Sequence, residues 1–171
     1  MYKRQTQLVE TLLNYARLDQ HILKLSLNKS NLTQLVAECI VTKQTSDVEI
    51  RYRAPDNSSL IKMDHRYLSM LVHNLIQNAI NYGNGLVCIT IKSNLKGTEL
   101  IVEDNGAGVP PELRKDILKP FVRGHTGSST IKGHGIGLAI VKRIAQWHHA
   151  TLEVTHSNEF NGAKFIVSFP K

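Results

Sequence analysis

Apolar side chains recur every three or four residues in four segments of the chain, which is the period of an amphipathic helix. In the first segment, residues 3–22, the stripe consists of Leu8, Leu12, Tyr15, Leu18 and Ile22. The second segment follows Asn31 and the third follows Asp64, two residue types that cap helix N-termini. The third helix is expected to stop at Tyr82-Gly83-Asn84-Gly85, and a fourth is expected over Ile136–His148.

The helix over residues 3–22 must bury its stripe against a partner. The pattern leaves two alternatives open. The helix docks on its own domain, or it belongs to a helical bundle whose other helices are supplied elsewhere. A linker is expected after it, around Lys24–Ser30.

Strands are indicated where apolar and polar residues alternate between turn residues. Six are expected: Val48–Tyr52, Leu60–Met63, Leu86–Ser93, Thr98–Glu103, Thr151–His156 and Ala163–Phe169. Helices alternating with a mixed, mostly antiparallel sheet predict an α/β fold, a two-layer sandwich of the sheet packed on helices. The long polar segment from Gly106 to Gly133 is typical of a lid over a functional site.

The composition narrows the class of protein. At 171 residues the chain is long enough for one domain that needs no disulfide or metal for stability. Cys39 and Cys88 each lie in an apolar pattern and are expected to be core residues in a reducing compartment. The formal charge is +7, but the basic residues are scattered, so no nucleic-acid binding is expected, and an anionic nucleotide or an acidic partner accounts for the charge.

The third predicted helix carries a polar face formed by Asn74, Asn78, Asn81 and Tyr82, whose spacing places them on one side. Asparagine is a poor helix former, so three in eight residues need a reason. A solvated surface is one explanation. The other is a ligand face, because amide oxygens bind Mg²⁺ while the ion keeps phosphate oxygens and waters.

Two glycine clusters, Asp104-Asn105-Gly106-Ala107-Gly108 and Gly133-His134-Gly135-Ile136-Gly137-Leu138, point to a nucleotide. Glycines let backbone N–H groups approach phosphate oxygens, and the N-terminus of the following helix favours negative charge. The dinucleotide fingerprint does not fit, because Leu138 occupies the third glycine position, and the Walker A loop does not fit, because Lys132 precedes its glycine. Asp104 ends a strand and could accept a hydrogen bond from an exocyclic amine such as that of adenine.

Four motifs in order carry a family resemblance: Asn74-Leu75-Ile76-Gln77-Asn78-Ala79, Asp104–Gly108, Pro120-Phe121-Val122-Arg123-Gly124 and Gly133–Val141. They resemble the N, G1, F and G2 boxes of sensor histidine kinases, relatives of the gyrase, Hsp90 and MutL ATPases. The resemblance implies the Bergerat ATP-binding fold. It also favours the bundle alternative, because Leu13-Asn14-Tyr15-Ala16-Arg17-Leu18 resembles the end of a dimerisation helix. It divides the chain into residues 1–27, the end of that helix plus a linker, and residues 28–171, the ATP-binding catalytic domain.

The resemblance implies a role for each matching position. Asp104 would hold the adenine amine, Asn78 would ligate Mg²⁺, and Tyr82 would lie beside the adenine or ribose. Phe121 would anchor the lid and Arg123 would reach the γ-phosphate. Asn74 and Arg123 are thus the expected catalytic residues, and the expected set of ATP-binding residues is Asn74, Asn78, Asn81, Tyr82, Asp104, Gly106, Gly108, Phe121, Lys132, Gly133, His134, Gly135, Ile136, Gly137 and Leu138.

Two departures from the family pattern refine the expected activity. Asn81 stands where relatives often carry Lys or Arg, so one phosphate contact is missing or comes from another residue such as Lys132. Asn74 stands where hydrolysing relatives carry a glutamate general base, and an amide cannot take a proton from water. The expected activity is therefore γ-phosphoryl transfer to a histidine. The alternative is a catalytically silent nucleotide-binding regulatory module.

The acceptor histidine is expected on a domain outside this chain. The family acceptor is followed by Glu or Asp, and none of the eight histidines here is. The resemblance implies ATP and Mg²⁺ as cofactors, and as partners the dimerisation and phosphoacceptor domain of the same kinase and a cognate response regulator. It further implies a homodimer in the full-length protein, and a cytoplasmic domain of an inner-membrane sensor protein.

Overall fold

The computed structural model describes residues 25–43, 47–55, 59–122 and 135–171. The helix expected over residues 3–22 lies outside them. The elements in chain order are β1 (Asn28–Asn31), α1 (Leu32–Val41), β2 (Glu49–Arg53), β3 (Leu60–Met63), α2 (His65–Tyr82), β4 (Leu86–Asn94), β5 (Gly97–Asp104), α3 (Gly137–Trp147), β6 (Thr151–His156) and β7 (Ala163–Pro170). None of the described helices is long and apolar enough to cross a membrane.

A five-stranded sheet in the order β2-β4-β5-β7-β6 forms one layer of the domain. Strands β2 and β4 are parallel, and the remaining neighbours are antiparallel. Helices α2 and α3 pack together against this sheet. The predicted α/β sandwich with a mixed, mostly antiparallel sheet is confirmed.

The structure corrects two details of the predicted organisation. Residues 28–30 were expected in a linker but belong to β1, which pairs antiparallel with β3 in a separate two-stranded sheet. The pairing depends on a contact across about thirty residues of sequence, which no local pattern reveals. The segment after Gly106 is not wholly irregular, because it contains short 3₁₀ turns at Pro111–Leu113 and Asp116–Leu118.

The core lies between the sheet and the helices. Along β7 every second side chain is buried, as expected for a strand with one face on the core: Ala163, Phe165, Val167 and Phe169. Helix α2 buries one face in the same core through Leu68, Leu71, Val72, Leu75, Ile76 and Ala79. Cys39 and Cys88 are free and buried, as predicted.

Both predicted N-caps are confirmed. Asn31 Oδ1 accepts a hydrogen bond from the N–H of Thr33 at 3.0 Å at the start of α1. Asp64 Oδ1 accepts from the N–H groups of Arg66 at 3.1 Å and Tyr67 at 3.3 Å at the start of α2. These bonds satisfy N–H groups that have no partner within the helix, so each side chain fixes where its helix begins.

His148 links the beginning of α2 to the end of α3. Its Nε2 accepts a hydrogen bond from the N–H of Asp64 at 3.0 Å, so its Nδ1 must carry the proton that is donated to the Ile144 carbonyl at 2.8 Å. Only 5% of the residue is exposed. Burial lowers the pKa of His148, and the bond to Ile144 and the charge of Asp64 oppose this shift in part. The neutral ring is therefore the form that the fold requires.

We expect stability to fall as the pH is lowered from 7.5 to 5.5, and His148 to cause part of that loss. Its pKa in the folded chain lies below the ordinary value of 6.5, so its contribution is complete above that pH and is lost as the pH falls through the folded-state pKa. His148→Gln should lower the free energy of unfolding at pH 7.5 by about 1–3 kcal/mol, because one amide cannot replace both ring contacts. Urea unfolding across this pH range measures both effects.

The neighbouring His149→Asn variant is the control, because His149 is exposed and its φ of 54° is one that asparagine tolerates. It should keep the stability and the pH dependence of the parent chain. Part of the pH dependence should also survive in His148→Gln, since burial and the charge of Lys43 lower the pKa of His73 as well. Equal pH dependence in His148→Gln and the parent chain would contradict the assignment.

Candidate nucleotide-binding site

Asp104, the last residue of β5, is a buried carboxylate with one unused oxygen. Its Oδ1 accepts hydrogen bonds from the N–H groups of Gly106 at 2.9 Å and Ala163 at 3.1 Å. Its Oδ2 is buried and accepts no hydrogen bond from the described part of the chain. Burial raises the pKa of Asp104, and the two backbone bonds oppose that shift. Because a buried acceptor without a donor is costly, the site favours a ligand that brings an N–H group.

Two glycines allow the backbone to close around this carboxylate. A Cβ at Gly162 would overlap the Asp104 carbonyl oxygen and would lie 2.5 Å from Oδ1. A Cβ at Gly106 would overlap the Tyr82 carbonyl oxygen. The sequence predicted a site role for Gly106 but none for Gly162, because no local signal links Gly162 to Asp104. Gly108 follows with a φ of 73° and approaches Gly162.

Asn105 fixes the position of the C-terminal end of α2 relative to Asp104. Its Oδ1 accepts from the N–H groups of Asn84 at 2.9 Å and Leu86 at 3.1 Å, and its Nδ2 donates to the Asn84 carbonyl at 3.0 Å. The side chain therefore holds the turn between α2 and β4 against the strand end that carries Asp104. Sequence reasoning missed this role, because the partners lie about twenty residues away.

The four residues predicted to form the polar face of α2 are all half-buried: Asn74, Asn78, Asn81 and Tyr82. Asn74 Nδ2 donates to the Met70 carbonyl at 2.8 Å, and its Oδ1 would lie 2.9 Å from a Cβ at Gly137. Asn81 Oδ1 accepts from Gln77 Nε2 at 3.0 Å. The side chain of Asn78 makes no hydrogen bond within the described ranges, so its amide is available to a ligand.

Helix α3 begins beside Asn74 without a cap. Ile136 occupies the N-cap position and offers no side-chain hydrogen bond, and the first turn holds no acidic residue. The backbone N–H groups of this turn and the helix dipole therefore favour an anion. Ile136 is fully buried and Leu138 packs against the core, so a ligand would meet their backbone and not their side chains.

The turn before α3 is joined to the start of the predicted lid. The N–H of Phe121 donates to the Gly135 carbonyl at 2.8 Å. Phe121 has a φ of 65° and is 64% exposed, and Gly135 has a φ of 69°. Four residues of the expected site, Arg123, Lys132, Gly133 and His134, lie outside the described ranges, and their roles stay predictions.

Helix α2 connects the two ends of the site. Tyr82 lies against Gly106 at the Asp104 end, and Asn74 lies against Gly137 at the α3 end. Tyr82 lies eight positions after Asn74 on the helix, a rise of about 12 Å. The arrangement suits an elongated ligand with an N–H donor at one end and negative charge at the other, along a face of amide groups.

The comparisons with known proteins agree with this geometry. A family model described as histidine kinase-, DNA gyrase B- and HSP90-like ATPase matches residues 63–171. The sensor protein RstB of Escherichia coli K12 is 34% identical over 166 residues, which are 95% of this chain and 38% of RstB. The histidine kinase domain of the E. coli osmosensor EnvZ is 32% identical, covering 87% of this chain and 91% of that one, with a TM-score of 0.66.

A third similar structure is full-length ShkA in complex with AMPPNP, which is 26% identical and has a TM-score of 0.82. That match covers 96% of this chain and 35% of ShkA. The chain belongs to the family of histidine kinase-, DNA gyrase B- and HSP90-like ATPases, among the catalytic domains of sensor histidine kinases. It spans 38% of the length of RstB and 34% of the sensor-like kinase SenX3 of Mycobacterium tuberculosis.

We expect Asp104→Asn to stabilise the ligand-free chain at pH 7. The raised pKa means that the carboxyl stabilises the fold only while it is protonated, so that contribution is lost as the pH rises through the folded-state pKa. A buried ionised carboxylate costs several kcal/mol, so the neutral amide should raise the free energy of unfolding by about 1 kcal/mol or more. The gain should shrink as the pH falls toward 3.8, the ordinary pKa of the group. Urea unfolding measures it.

Glu103→Gln, one residue earlier on the strand, is the matched control. Glu103 is buried too, but its Oε1 accepts from Ser157 Oγ at 2.8 Å and lies 3.5 Å from Lys164 Nζ. Its replacement should therefore destabilise the chain. A loss of stability in both variants would show that the Asp104 carboxylate is a structural group and not one that awaits a ligand.

Proposed function

We propose that this chain binds Mg·ATP and transfers the γ-phosphoryl group to a histidine of a dimerisation domain. The observation that carries the proposal is the buried Asp104 Oδ2, which accepts no hydrogen bond from the described residues and lies at one end of the site along α2. The exocyclic amine of adenine supplies the N–H that this oxygen lacks. Guanine presents a carbonyl at the equivalent ring position, which would face the carboxylate without a hydrogen bond. The structure of the similar protein ShkA in complex with AMPPNP supports an adenine nucleotide here.

The α3 end of the site suits the phosphates. The uncapped first turn of α3 offers backbone N–H groups, and the proposed lid residue Arg123 supplies positive charge. Asn78 fits the role of a Mg²⁺ ligand, because the ion prefers oxygen and keeps waters and phosphate oxygens as its other ligands. The described residues hold no cluster of three His, Cys, Asp or Glu that would bind the ion elsewhere. When bound, Mg²⁺ would neutralise charge on the phosphate oxygens.

Transfer then depends on position more than on covalent chemistry from this chain. An imidazole nitrogen attacks the γ-phosphorus in line, the bond to the bridging oxygen breaks, and ADP leaves. The site's part is to hold the nucleotide still and to balance the developing charge. Asn74 is an amide bonded to the Met70 carbonyl and cannot act as a base toward water, which favours transfer over hydrolysis.

The proposal extends to the parts of the protein beyond this site. We propose that residues 1–27 are the end of the dimerisation helix and its linker, and that residues 28–171 form the catalytic domain. The partner would be the dimerisation and phosphoacceptor domain of the same kinase within a homodimer. A cognate response regulator would receive the phosphoryl group, and the parent protein would be an inner-membrane sensor. The lengths of RstB and SenX3 relative to this chain support further domains.

Calorimetric titration of ATP with and without Mg²⁺, with GTP as the comparison, tests the site. We expect ATP to bind more tightly than GTP and more tightly with Mg²⁺. Asp104→Asn should weaken ATP binding by about a hundredfold or more, because its amide N–H would oppose the amine of adenine. Asn78→Ala should remove most of the gain that Mg²⁺ provides, whereas Asn158→Ala, at an exposed turn position, should bind as the parent chain does.

Two results would contradict these assignments. Equal affinities of the parent chain for ATP and GTP would remove the adenine role of Asp104. An undiminished effect of Mg²⁺ in Asn78→Ala would remove the ligand role of that side chain.

A transfer assay separates the kinase from the silent module. The chain is mixed with a separate dimerisation domain that carries an acceptor histidine, and ATP labelled in the γ-phosphate is added. If the chain is a kinase, the dimerisation domain becomes labelled. Labelling should be lost when the acceptor histidine is replaced, and also when the Asp104→Asn variant is used. ATP binding without labelling would support the silent module. Release of inorganic phosphate without any acceptor domain would support ATP hydrolysis as the activity of this chain.

A further inference from the structure

Lys43, just after the last turn of α1, is tied to the polar face of α2. Its Nζ donates to Gln77 Oε1 at 2.8 Å, and Gln77 Nε2 donates to Asn81 Oδ1 at 3.0 Å. Lysine can only donate, so the orientation of the Gln77 amide is fixed, and the carbonyl of Asn81 is the group turned toward Gln77. We call these two consecutive hydrogen bonds, from Lys43 to Gln77 and from Gln77 to Asn81, the relay. No local sequence pattern predicts it, because Lys43 and Gln77 are 34 residues apart.

The charge of Lys43 is not balanced by an acidic group in the described ranges. The side chain has no carboxylate within ion-pair distance there, and its hydrogen-bond partner is a neutral amide. The residue is half-buried, and that burial lowers the pKa of Lys43. Its charge acts on His73, whose pKa it helps to lower, so it is felt along the flank of α2. A partly desolvated cation without a counter-ion is costly unless an anion arrives.

The hydrogen bonds of Lys43 and Gln77 lead to the asparagine face of α2, whose asparagine side chains carry no charge. Asn74, Asn78 and Asn81 are all neutral, and the uncapped first turn of α3 beside Asn74 offers only partial charges. On the helix, Gln77 lies about 40° around the axis from Asn81, so Lys43 approaches from the side of the face opposite Tyr82. Along the helix, Gln77 lies three residues from Asn74, a rise of about 4.5 Å, and five from Tyr82, about 7.5 Å, so Lys43 meets α2 nearer its α3 end than its Asp104 end.

We propose that Lys43 supplies one of the positive charges at the phosphate end of the nucleotide, held in place by Gln77 beside the asparagine face of α2. The inference rests on the proposed nucleotide binding and assigns to it a residue from outside the four motifs. The cation comes from the turn that follows α1, and not from position 81 of α2. Gln77 is a positioning residue in this arrangement, because it acts through Lys43.

A purely structural role for Lys43 is the competing explanation, since the Lys43–Gln77 bond also joins α1 to α2. The two explanations differ in what they predict for ligands of different charge. A structural clamp would affect adenosine and ATP alike, or affect only the stability of the fold. A phosphate-binding cation would affect ATP and leave adenosine unchanged.

The experiment is an NMR titration of the ¹⁵N-labelled chain with ATP, in the presence of Mg²⁺, and with adenosine. Lys43→Met keeps much of the aliphatic stem and removes the charge, and it should weaken ATP binding by about tenfold or more, the effect of one charged hydrogen bond. Adenosine affinity should not change. Lys96→Ala removes the same charge at an exposed turn at the end of β5 away from Asp104, and it should bind both ligands as the parent chain does.

A rescue variant makes the test specific to charge. Asn81→Arg, introduced into Lys43→Met, places a cation on the face itself and should restore most of the ATP affinity. Unchanged ATP affinity in Lys43→Met overturns the inference while the nucleotide function stands, and so does an equal loss for adenosine and ATP. If the parent chain binds neither ligand, the proposed function fails, and the inference fails with it.

Discussion

The buried carboxylate of Asp104 is the group on which the arrangement of the site depends. The main chain on two sides donates to its Oδ1, from Gly106 and from Ala163, and this fixes where Oδ2 points. Gly162 and Gly106 lack side chains at the places where a Cβ would prevent that closure. Within the described ranges Oδ2 is thus an unsatisfied acceptor in a rigid setting, at a cost in stability that a bound N–H group can offset.

Helix α2 carries both the core and the site, and its two ends are held by different devices. One face is fully buried through residues such as Leu71 and Leu75, so the opposite face cannot rotate or slide. At the N-terminus, Asp64 caps the helix and bonds to His148 of the α3 end. At the C-terminus, Asn105 holds the following turn. The asparagine face is therefore positioned by contacts within the fold itself, at both ends of α2.

Much of this could be predicted from the sequence, where the determinants are local. The caps Asn31 and Asp64, the strands β4 and β5 and the face of α2 follow from spacing and residue type, and the structure confirms them. The parts that could not be predicted depend on distant pairs. Strand β1 needs β3, Gly162 matters only because β7 brings it to Asp104, and Asn105 acts on the turn after α2.

The positive charge near the site also depends on a residue that is distant in sequence from the motifs. A motif read residue by residue finds an amide at position 81 and concludes that a cation is missing there. The fold brings Lys43 to that amide through Gln77, from a turn after α1 that the motifs do not include. Since an electrostatic field depends on where a charge lies in space and not on its place in the chain, a nucleotide site can keep its cation while its motif loses it. Asn81 alone is therefore no evidence of a silent site.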